Sequence, residues 1–174
     1  GSSGRGKSTI AYGLMKKGWK LIADDLVVLD SRGYVMPGIR RIKLWEDAIN
    51  AFNLDINQLQ KCRKNLNKYL IIGKDIEEEI NPTKLKSIFV LTQRQHIKSP
   101  SNNLVIPVKS DQNKFICLRN NLYRPRFARA LGKEGLNFLA ISKLLNNLPV
   151  YLMPNILGIS KMQNFLESIN LLSY

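Results

Sequence analysis

The chain has 174 residues, 44% of them hydrophobic, with 27 Lys and Arg against 13 Asp and Glu. This length and apolar content argue against disorder, and no apolar run approaches the roughly 20 residues that a transmembrane helix needs. We therefore expect a soluble, cytoplasmic protein that does not enter a membrane. The net charge of +14 favours an anionic partner, such as a nucleotide, an acidic protein surface or a nucleic acid, although a lysine-rich coding bias would produce the same excess.

The first eight residues form a complete phosphate-binding motif that matches GxxxxGK[ST]. Its glycines permit the positive φ angles and the close approach through which backbone N–H groups bind phosphate oxygens. In this motif Lys7 reaches the β- and γ-phosphates, and the Ser8 hydroxyl is a ligand of Mg²⁺. The motif therefore predicts a site for ATP with Mg²⁺. The residues of the predicted site are Gly1, Ser2, Ser3, Gly4, Arg5, Gly6, Lys7, Ser8 and Thr9.

The elements around this motif follow from its usual setting between a buried strand and a helix. A strand is therefore expected before Gly1, so that the chain would be an N-terminally incomplete part of a longer protein. A helix is predicted from Ser8 to Lys17 because apolar residues recur on one face and Gly18 follows its end. A strand is predicted next, from Trp19 to Ala23.

Asp24 and Asp25 are predicted to lie beside the phosphates because of the lengths of these two elements. The helix rises about 15 Å at ~1.5 Å per residue, and the strand returns about 16 Å at ~3.3 Å per residue. If the strand packs antiparallel to the helix, both carboxylates are level with the start of the helix. One carboxylate would then hold Mg²⁺ and the other would accept a proton from an attacking hydroxyl. The alternative is a solvated Asp-Asp turn between two strands.

The rest of the chain is predicted to alternate between strands and helices. Strands are predicted at 26–29, 34–36, 40–44, 69–72, 86–91, 103–108 and 150–153, with a turn at 30–33, an extended piece at 115–118, and helices at 45–52, 56–66, 133–147 and 161–172. In the helix at 133–147, the residues predicted to face inward are Leu136, Leu139, Ala140, Leu144 and Leu145. Trp19 and Trp45 are assigned to the core. Without a repeat or a linker, the pattern predicts one α/β domain over residues 1–174, with a mixed central sheet flanked by helices.

Basic side chains outside the motif are further candidates for binding. Arg40 and Arg41 follow a Pro-Gly turn and would contact phosphate or substrate. Arg124 and Arg126 belong to a basic and aromatic cluster that would hold an acidic peptide or a single-stranded nucleic acid. A solvated face is the alternative for both pairs. His96, the single histidine, is expected to be a solvent-exposed bystander.

Two stretches of this sequence together resemble a known enzyme family. The phosphate loop and the segment Lys17-Gly18-Trp19-Lys20-Leu21-Ile22-Ala23-Asp24-Asp25-Leu26-Val27 are similar to the C-terminal catalytic domain of HPr kinase/phosphorylase, with its pattern of phosphate loop, helix and G-x-x-L-x-A-D-D-x-V. Residues 37–48 and 136–152 look like segments of the shorter HPr-kinase-like proteins, including kinases encoded beside lasso-peptide genes. The resemblance is specific up to Trp45 and loose between Asp55 and Lys133.

The resemblance implies ATP- and Mg²⁺-dependent transfer of a phosphoryl group to a serine hydroxyl of a peptide or protein. It implies Asp24 as the base, Lys7 on the phosphates, and Asp25 with Ser8 near the metal. The Glu-x-Arg-Gly signature of true HPr kinases has no counterpart where it would be expected, which argues against HPr as the substrate and against the reverse phosphorylase activity.

Two other functions stay open. The phosphoryl donor, which is ATP, ADP or pyrophosphate, and a homo-oligomeric state also stay open. One of the two functions is a kinase of a small molecule such as free serine, which would share the phosphate loop and the aspartate pair but need an enclosed pocket. The other is a nucleotide- or nucleic-acid-binding module without transfer, which the charge of +14 would suit.

Overall fold

The computed structural model describes residues 1–72, 81–92, 105–146 and 148–154. Within these ranges the chain is a mixed α/β protein with small open sheets, which confirms the predicted α/β class. The predicted helix at 161–172 and the predicted bystander His96 lie outside the described residues.

The chain divides into two compact units. The first contains Gly1–Arg5, Leu29–Tyr34 and the described residues from Thr83 onward, and the second contains Gly6–Val28 and the described residues of Val35–Pro82. Compact units of one chain are not by themselves separate folding domains. The single domain over residues 1–174 therefore stays a prediction.

The helices and strands are short. The helices are α1 (Lys7–Lys16), α2 (Glu46–Ala51), α3 (Asp111–Arg119), α4 (Pro125–Ala130) and α5 (Glu134–Leu145), with one 3₁₀ turn, η1 (Ile56–Gln58). The strands are β1 (Val28–Leu29), β2 (Tyr34–Met36), β3 (Ile42–Trp45), β4 (Gln60–Arg63), β5 (Leu66–Ile71), β6 (Thr83–Lys84), β7 (Ile88–Thr92), β8 (Ile106–Pro107) and β9 (Val150–Pro154).

The second unit is built on an antiparallel sheet in the order β3–β5–β4, against which α1 and α2 pack. Alternation along β3 buries Ile42 and Leu44 almost completely, so Lys43 between them points to the opposite face. The buried core of this unit consists of Tyr12, Ile42, Leu44, Ala48, Ile49, Tyr69 and Ile71. Burying such a cluster is what stabilises the sheet, and it leaves Lys43 available for polar contacts.

The first unit contains the parallel pair β7–β9, with β8 antiparallel on the other side of β9. Val150 and Met153 of β9 are buried, and Phe89 stacks on its register partner Tyr151 at 5.0 Å between ring centroids. Helices α3 and α4 both pack on α5. The predicted turn at 30–33 is also present in this unit, since the Asp30 N–H donates to the Tyr34 carbonyl.

Several predicted elements are wrong. Residues 19–23 form no strand, and only Val28–Leu29 of the strand predicted at 26–29 is present. The neighbouring segment contains Pro37, which has no N–H to donate, so only isolated bonds form: Gly38 N–H to the Ile22 carbonyl and Asp24 N–H to the Ile39 carbonyl. Regular pairing would need donors from alternate residues along both segments.

Two further segments have the opposite structure to the prediction. The helix predicted at 56–66 ends after the single turn η1, and the chain turns into the hairpin β4–β5. The extended piece predicted at 115–118 lies inside α3. The Ser110 side chain caps that helix by accepting the Asn113 N–H. The first turn of α3 is polar, so apolar periodicity does not indicate that a helix begins there.

The predicted inward face of the helix at 133–147 is also wrong in part. Leu136, Leu139 and Ala140 are exposed, whereas Ile141 and Leu145 are buried. Trp19 and Trp45, both assigned to the core, are 42% and 47% exposed. An apolar side chain is buried only where a neighbouring element packs on its face of the helix or strand, and apolar character alone does not say which face that is.

Candidate functional site

The phosphate-binding motif ends where α1 begins. Gly4 and Gly6 have φ angles of 77° and 80°, in the left-handed region that glycine adopts without strain. Lys7 is the first residue of α1, and the Ile10 N–H makes the first bond of the helix, to the Gly6 carbonyl. The positive end of the helix dipole therefore lies at Lys7 and Ser8, as anion binding requires.

The beginning of the motif lies in the first unit, beside β7. A Cβ atom at Gly1 would stand 2.7 Å from the Leu91 carbonyl oxygen, so only glycine fits there without a shift of the strand. Arg5 donates from Nε to the Ser2 hydroxyl at 3.1 Å, a contact that ties two residues of the loop together. The loop's conformation thus depends on glycine at position 1 as well as at positions 4 and 6.

The structure brings Asp24 to the first turn of α1. The Ser8 hydroxyl donates to Asp24 Oδ1 at 3.4 Å. The segment between helix and carboxylate is not a strand, yet it brings Asp24 to the Ser8 hydroxyl. Ser8 and Asp24 are 16 residues apart in sequence, and both lie in the second unit.

Asp25 is the central residue of a tight turn. The Leu26 N–H donates to the Asp24 carbonyl at 2.6 Å, and Asp25 has a φ of 59°, which few residues other than glycine adopt. Such strained backbone positions cluster at functional sites. The turn separates the two carboxylates: Asp24 is half-buried beside Ser8, and Asp25 is exposed.

The two carboxylates have opposite electrostatic environments. Burial, together with the charge of Asp25, raises the pKa of Asp24 above its ordinary value. Asp25 accepts a 2.8 Å hydrogen bond from Lys43 Nζ, which lowers the pKa of Asp25 and raises the pKa of Lys43. Lys68 and Lys7 add to the positive field that lowers the pKa of Asp25. A carboxyl group with a raised pKa is better suited than its neighbour to accept a proton.

Sequence reasoning missed Lys43 and Lys68 as members of this site. Lys43 lies on β3, and the alternation Ile42-Lys43-Leu44 signals a polar residue facing away from the core. The sequence does not say which loop that face meets. Only the tertiary structure places the Lys43 ammonium on Asp25.

The aspartate turn is held by the segment after Pro37. The Gly38 N–H donates to the Ile22 carbonyl at 3.0 Å, and the Asp24 N–H donates to the Ile39 carbonyl at 2.9 Å. A Cβ atom at Gly38 would stand 2.9 Å from Ala23 Cβ, closer than two such carbons approach. Gly38 therefore sets how near this segment comes to the aspartates.

We expect Gly38→Val to displace the aspartate turn, and any transfer activity that depends on Asp24 should then fall by up to about 10²-fold for a displacement of about 1 Å. Steady-state transfer assays and thermal melts would measure both effects. Gly18→Val is the control. Gly18 has a φ of 90°, which would strain a valine, and no atom lies within 4 Å of its Cβ position, so this variant should lose stability but keep its specific activity when folded. Full activity of folded Gly38→Val would contradict the positioning role.

Two buried polar atoms of this region have no hydrogen-bond partner among the described residues: Asp24 Oδ2 and Arg40 Nη1. Unsatisfied buried polar atoms are costly, and in proteins they are usually paired by a ligand, an ion or water. The Asp24 carboxylate and the Ser8 hydroxyl offer the oxygen donors that Mg²⁺ prefers. The residues present therefore fit a magnesium ion at this position.

The remaining sequence candidates lie elsewhere. Arg41 is exposed next to the half-buried Arg40. Arg124 and Arg126, at the start of α4, belong to the first unit. None of the helices within residues 1–72, 81–92, 105–146 and 148–154 is long and apolar enough to cross a membrane.

Comparison with known proteins returns no relative: no protein-family model, no curated protein and no solved structure matches the chain significantly.

Proposed function

We propose that this protein is a cytoplasmic ATP- and Mg²⁺-dependent kinase that phosphorylates a serine hydroxyl of a peptide or protein. The observation that supports the proposal most is the contact between Ser8 and Asp24, 3.4 Å apart, directly after Gly6 and Lys7 at the N-terminus of α1. A phosphate loop whose Ser hydroxyl meets an aspartate is the usual arrangement for holding the metal of a bound nucleotide. The resemblance to HPr kinase/phosphorylase rests on the same residues.

In this proposal each side chain has a separate role. The N-terminus of α1 and the Lys7 ammonium bind the β- and γ-phosphates, and Ser8 with a carboxylate of the pair would hold Mg²⁺, which when bound would neutralise charge on the transferred phosphoryl group. Asp24, whose pKa is raised, accepts the proton of the attacking serine hydroxyl. Asp25, which Lys43 keeps ionised, would be the carboxylate near the metal.

One observation favours the reverse assignment within the pair. Asp24, not Asp25, contacts the Ser8 hydroxyl, and Asp25 already accepts a hydrogen bond from Lys43. In the reverse assignment Asp24 would hold the metal and Asp25 would act on the substrate hydroxyl. Both assignments keep the kinase function, and the substitutions argued in the Discussion distinguish them.

Arg40 is a further member of the proposed site. Its guanidinium has a buried Nη1 without a partner in the described structure, and the preceding residue, Ile39, accepts the Asp24 N–H. A guanidinium with an unused donor is a strong ligand for phosphate oxygens. We infer that it contacts the nucleotide or the phosphorylated product.

We expect Arg40→Ala to lower transfer on the order of 10- to 10²-fold, because it removes a charge-assisted hydrogen bond to phosphate. The exposed neighbour gives the matched control, since Arg41→Ala removes the same charge one residue away and should change activity little. Initial rates with labelled ATP would be compared for the two variants. Equal rates would remove Arg40 from the site.

The proposed function is tested by incubating the protein with γ-labelled ATP and Mg²⁺ in three parallel reactions. These contain serine-bearing peptides, free serine, or no acceptor. Label on the peptides supports the proposal, whereas label on free serine alone supports the small-molecule kinase. Nucleotide binding without transfer to any acceptor supports the binding module and overturns the kinase.

A further inference from the structure

Three helices of the first unit surround a cavity far from the phosphate loop in sequence. Helices α3, α4 and α5 line an open groove of about 730 Å³, within the size range of ligand sites. Its lining is mixed: Phe115, Leu122, Pro125, Phe138 and Ile141 form the apolar part, and the polar part consists of Arg119, Asn120, Arg129, Glu134 and Asn137. The function proposed above uses none of these residues.

The surface next to the cavity exposes large apolar side chains. Tyr123 and Phe127 are each 61% exposed, and Leu131 is 67% exposed. No residue of α4 is buried. Contiguous apolar surface of this kind on a folded protein marks a binding site for another molecule.

The charge of this region is strongly positive. Residues 111–145 contain seven Lys and Arg but only two acidic residues, a net charge of +5. Both acidic side chains are already paired inside the region, Asp111 with Lys114 at 2.8 Å and Glu134 with Arg129 at 2.9 Å. The uncompensated basic residues therefore favour an acidic partner.

The aromatic contacts favour a peptide over a nucleic acid. Single-stranded nucleic acids bind by stacking their bases on open aromatic faces. Here the Arg124 guanidinium lies over both rings, 5.2 Å from the Tyr123 centroid and 5.5 Å from that of Phe127, and so competes with a base for these ring faces. Within the cavity, Phe115 and Phe138 pack on each other at 5.2 Å. A concave apolar wall with a basic rim instead accommodates aliphatic or aromatic side chains of an acidic chain.

We propose that the groove between α3, α4 and α5 binds an acidic peptide segment that inserts Leu or Phe side chains into the cavity. Arg119 and the basic residues around it pair with the Asp and Glu of that segment. Binding requires no nucleotide, so the proposal is independent of the phosphoryl transfer proposed above.

The test is fluorescence anisotropy of the full chain with a labelled synthetic peptide that is rich in Asp and Glu and carries Leu and Phe at helical spacing. The expected Kd is on the order of micromolar. Two comparison probes are a peptide with Ser in place of Leu and Phe, and a short oligothymidylate. We expect both to bind at least about 10-fold more weakly, because neither fills the apolar cavity.

A substitution at Gly135 blocks the cavity without disturbing the fold. Gly135 lines the cavity, and a Cβ atom there would meet no atom within 4 Å. Gly135→Trp should therefore fold normally and weaken the peptide about 10-fold or more. Leu136→Trp is the matched control, since Leu136 is exposed on the same helix and does not line the cavity; it should bind like the wild type.

A pair of charge reversals tests the basic rim. Arg119→Glu should weaken the acidic peptide more than Lys143→Glu, which makes the same change outside the cavity lining. Circular dichroism melts establish that each variant is folded. Absence of peptide binding, equal binding to Gly135→Trp and wild type, or tighter binding of oligothymidylate would each overturn the proposal.

Discussion

Lys7→Ala is expected to abolish phosphoryl transfer, with a loss of about 10³-fold or more. In the proposed kinase the Lys7 ammonium would bridge the β- and γ-phosphates, where negative charge is redistributed during transfer. Its position at the first residue of α1 directs it to the same place as the positive end of the helix. Removing it takes away a charge that the backbone donors cannot replace.

The fold should survive this substitution. Lys7 is exposed, and a positive side chain in the first turn of a helix is unfavourable to the helix dipole. The free energy of unfolding of Lys7→Ala should therefore lie within about 1 kcal/mol of that of the wild type. A loss of activity then cannot be ascribed to unfolding. Lys16→Ala, at the other end of α1, removes the same charge from the same helix and should keep full activity. Wild-type turnover in Lys7→Ala would contradict the proposed kinase.

Asp24→Asn is expected to lower transfer on the order of 10²-fold or more while Mg-nucleotide affinity stays nearly unchanged. A base acts only when the hydroxyl attacks, so its loss appears in turnover and not in binding. Asparagine keeps the oxygen that accepts the Ser8 hydroxyl, so the local geometry is retained. Calorimetric titration with a non-hydrolysable ATP analogue, run beside labelled transfer, would separate the two effects.

Asp25→Asn should behave differently, with weaker Mg²⁺-dependent nucleotide binding that added Mg²⁺ partly restores. The opposite pattern, with Asp24 controlling binding and Asp25 controlling only turnover, would assign the metal to Asp24 as its contact with Ser8 suggests. If the protein binds nucleotide and neither substitution changes binding or transfer, the pair is a surface turn and the protein is a binding module.

The free energy of unfolding should also distinguish Asp24→Asn from Asp25→Asn. The pKa of Asp24 is raised in the folded state, which means that its ionised form is disfavoured there at neutral pH. Asp24→Asn should therefore be as stable as the wild type or more stable. The pKa of Asp25 is lowered, so its charge contributes stability that is lost as the pH falls through its folded value. Because the Asp25–Lys43 pair is exposed, Asp25→Asn should cost less than about 1 kcal/mol.

The backbone conformation of residues 4–7 could be predicted because it is local. Gly4 and Gly6 have the positive φ angles that the motif uses, and α1 begins at Lys7, one residue before the predicted start at Ser8. Phosphate binding by this motif stays a prediction. The approach of Asp24 to Ser8 was predicted from chain lengths alone. It occurs although the strand assumed for it is absent.

The sequence by itself thus determined the GxxxxGK[ST] motif at the start of α1, the α/β class and the approach of Asp24 to the start of that helix, all of which depend on neighbouring residues or on chain length. Only the tertiary structure decided that Lys43 pairs with Asp25, that Gly38 limits the approach to Ala23, and that α3, α4 and α5 form a groove. These contacts join residues whose separation in sequence carries no period or motif. These contacts depend on which faces of the helices and strands pack together. That packing is determined by burial of apolar residues over the whole core and not by any one segment.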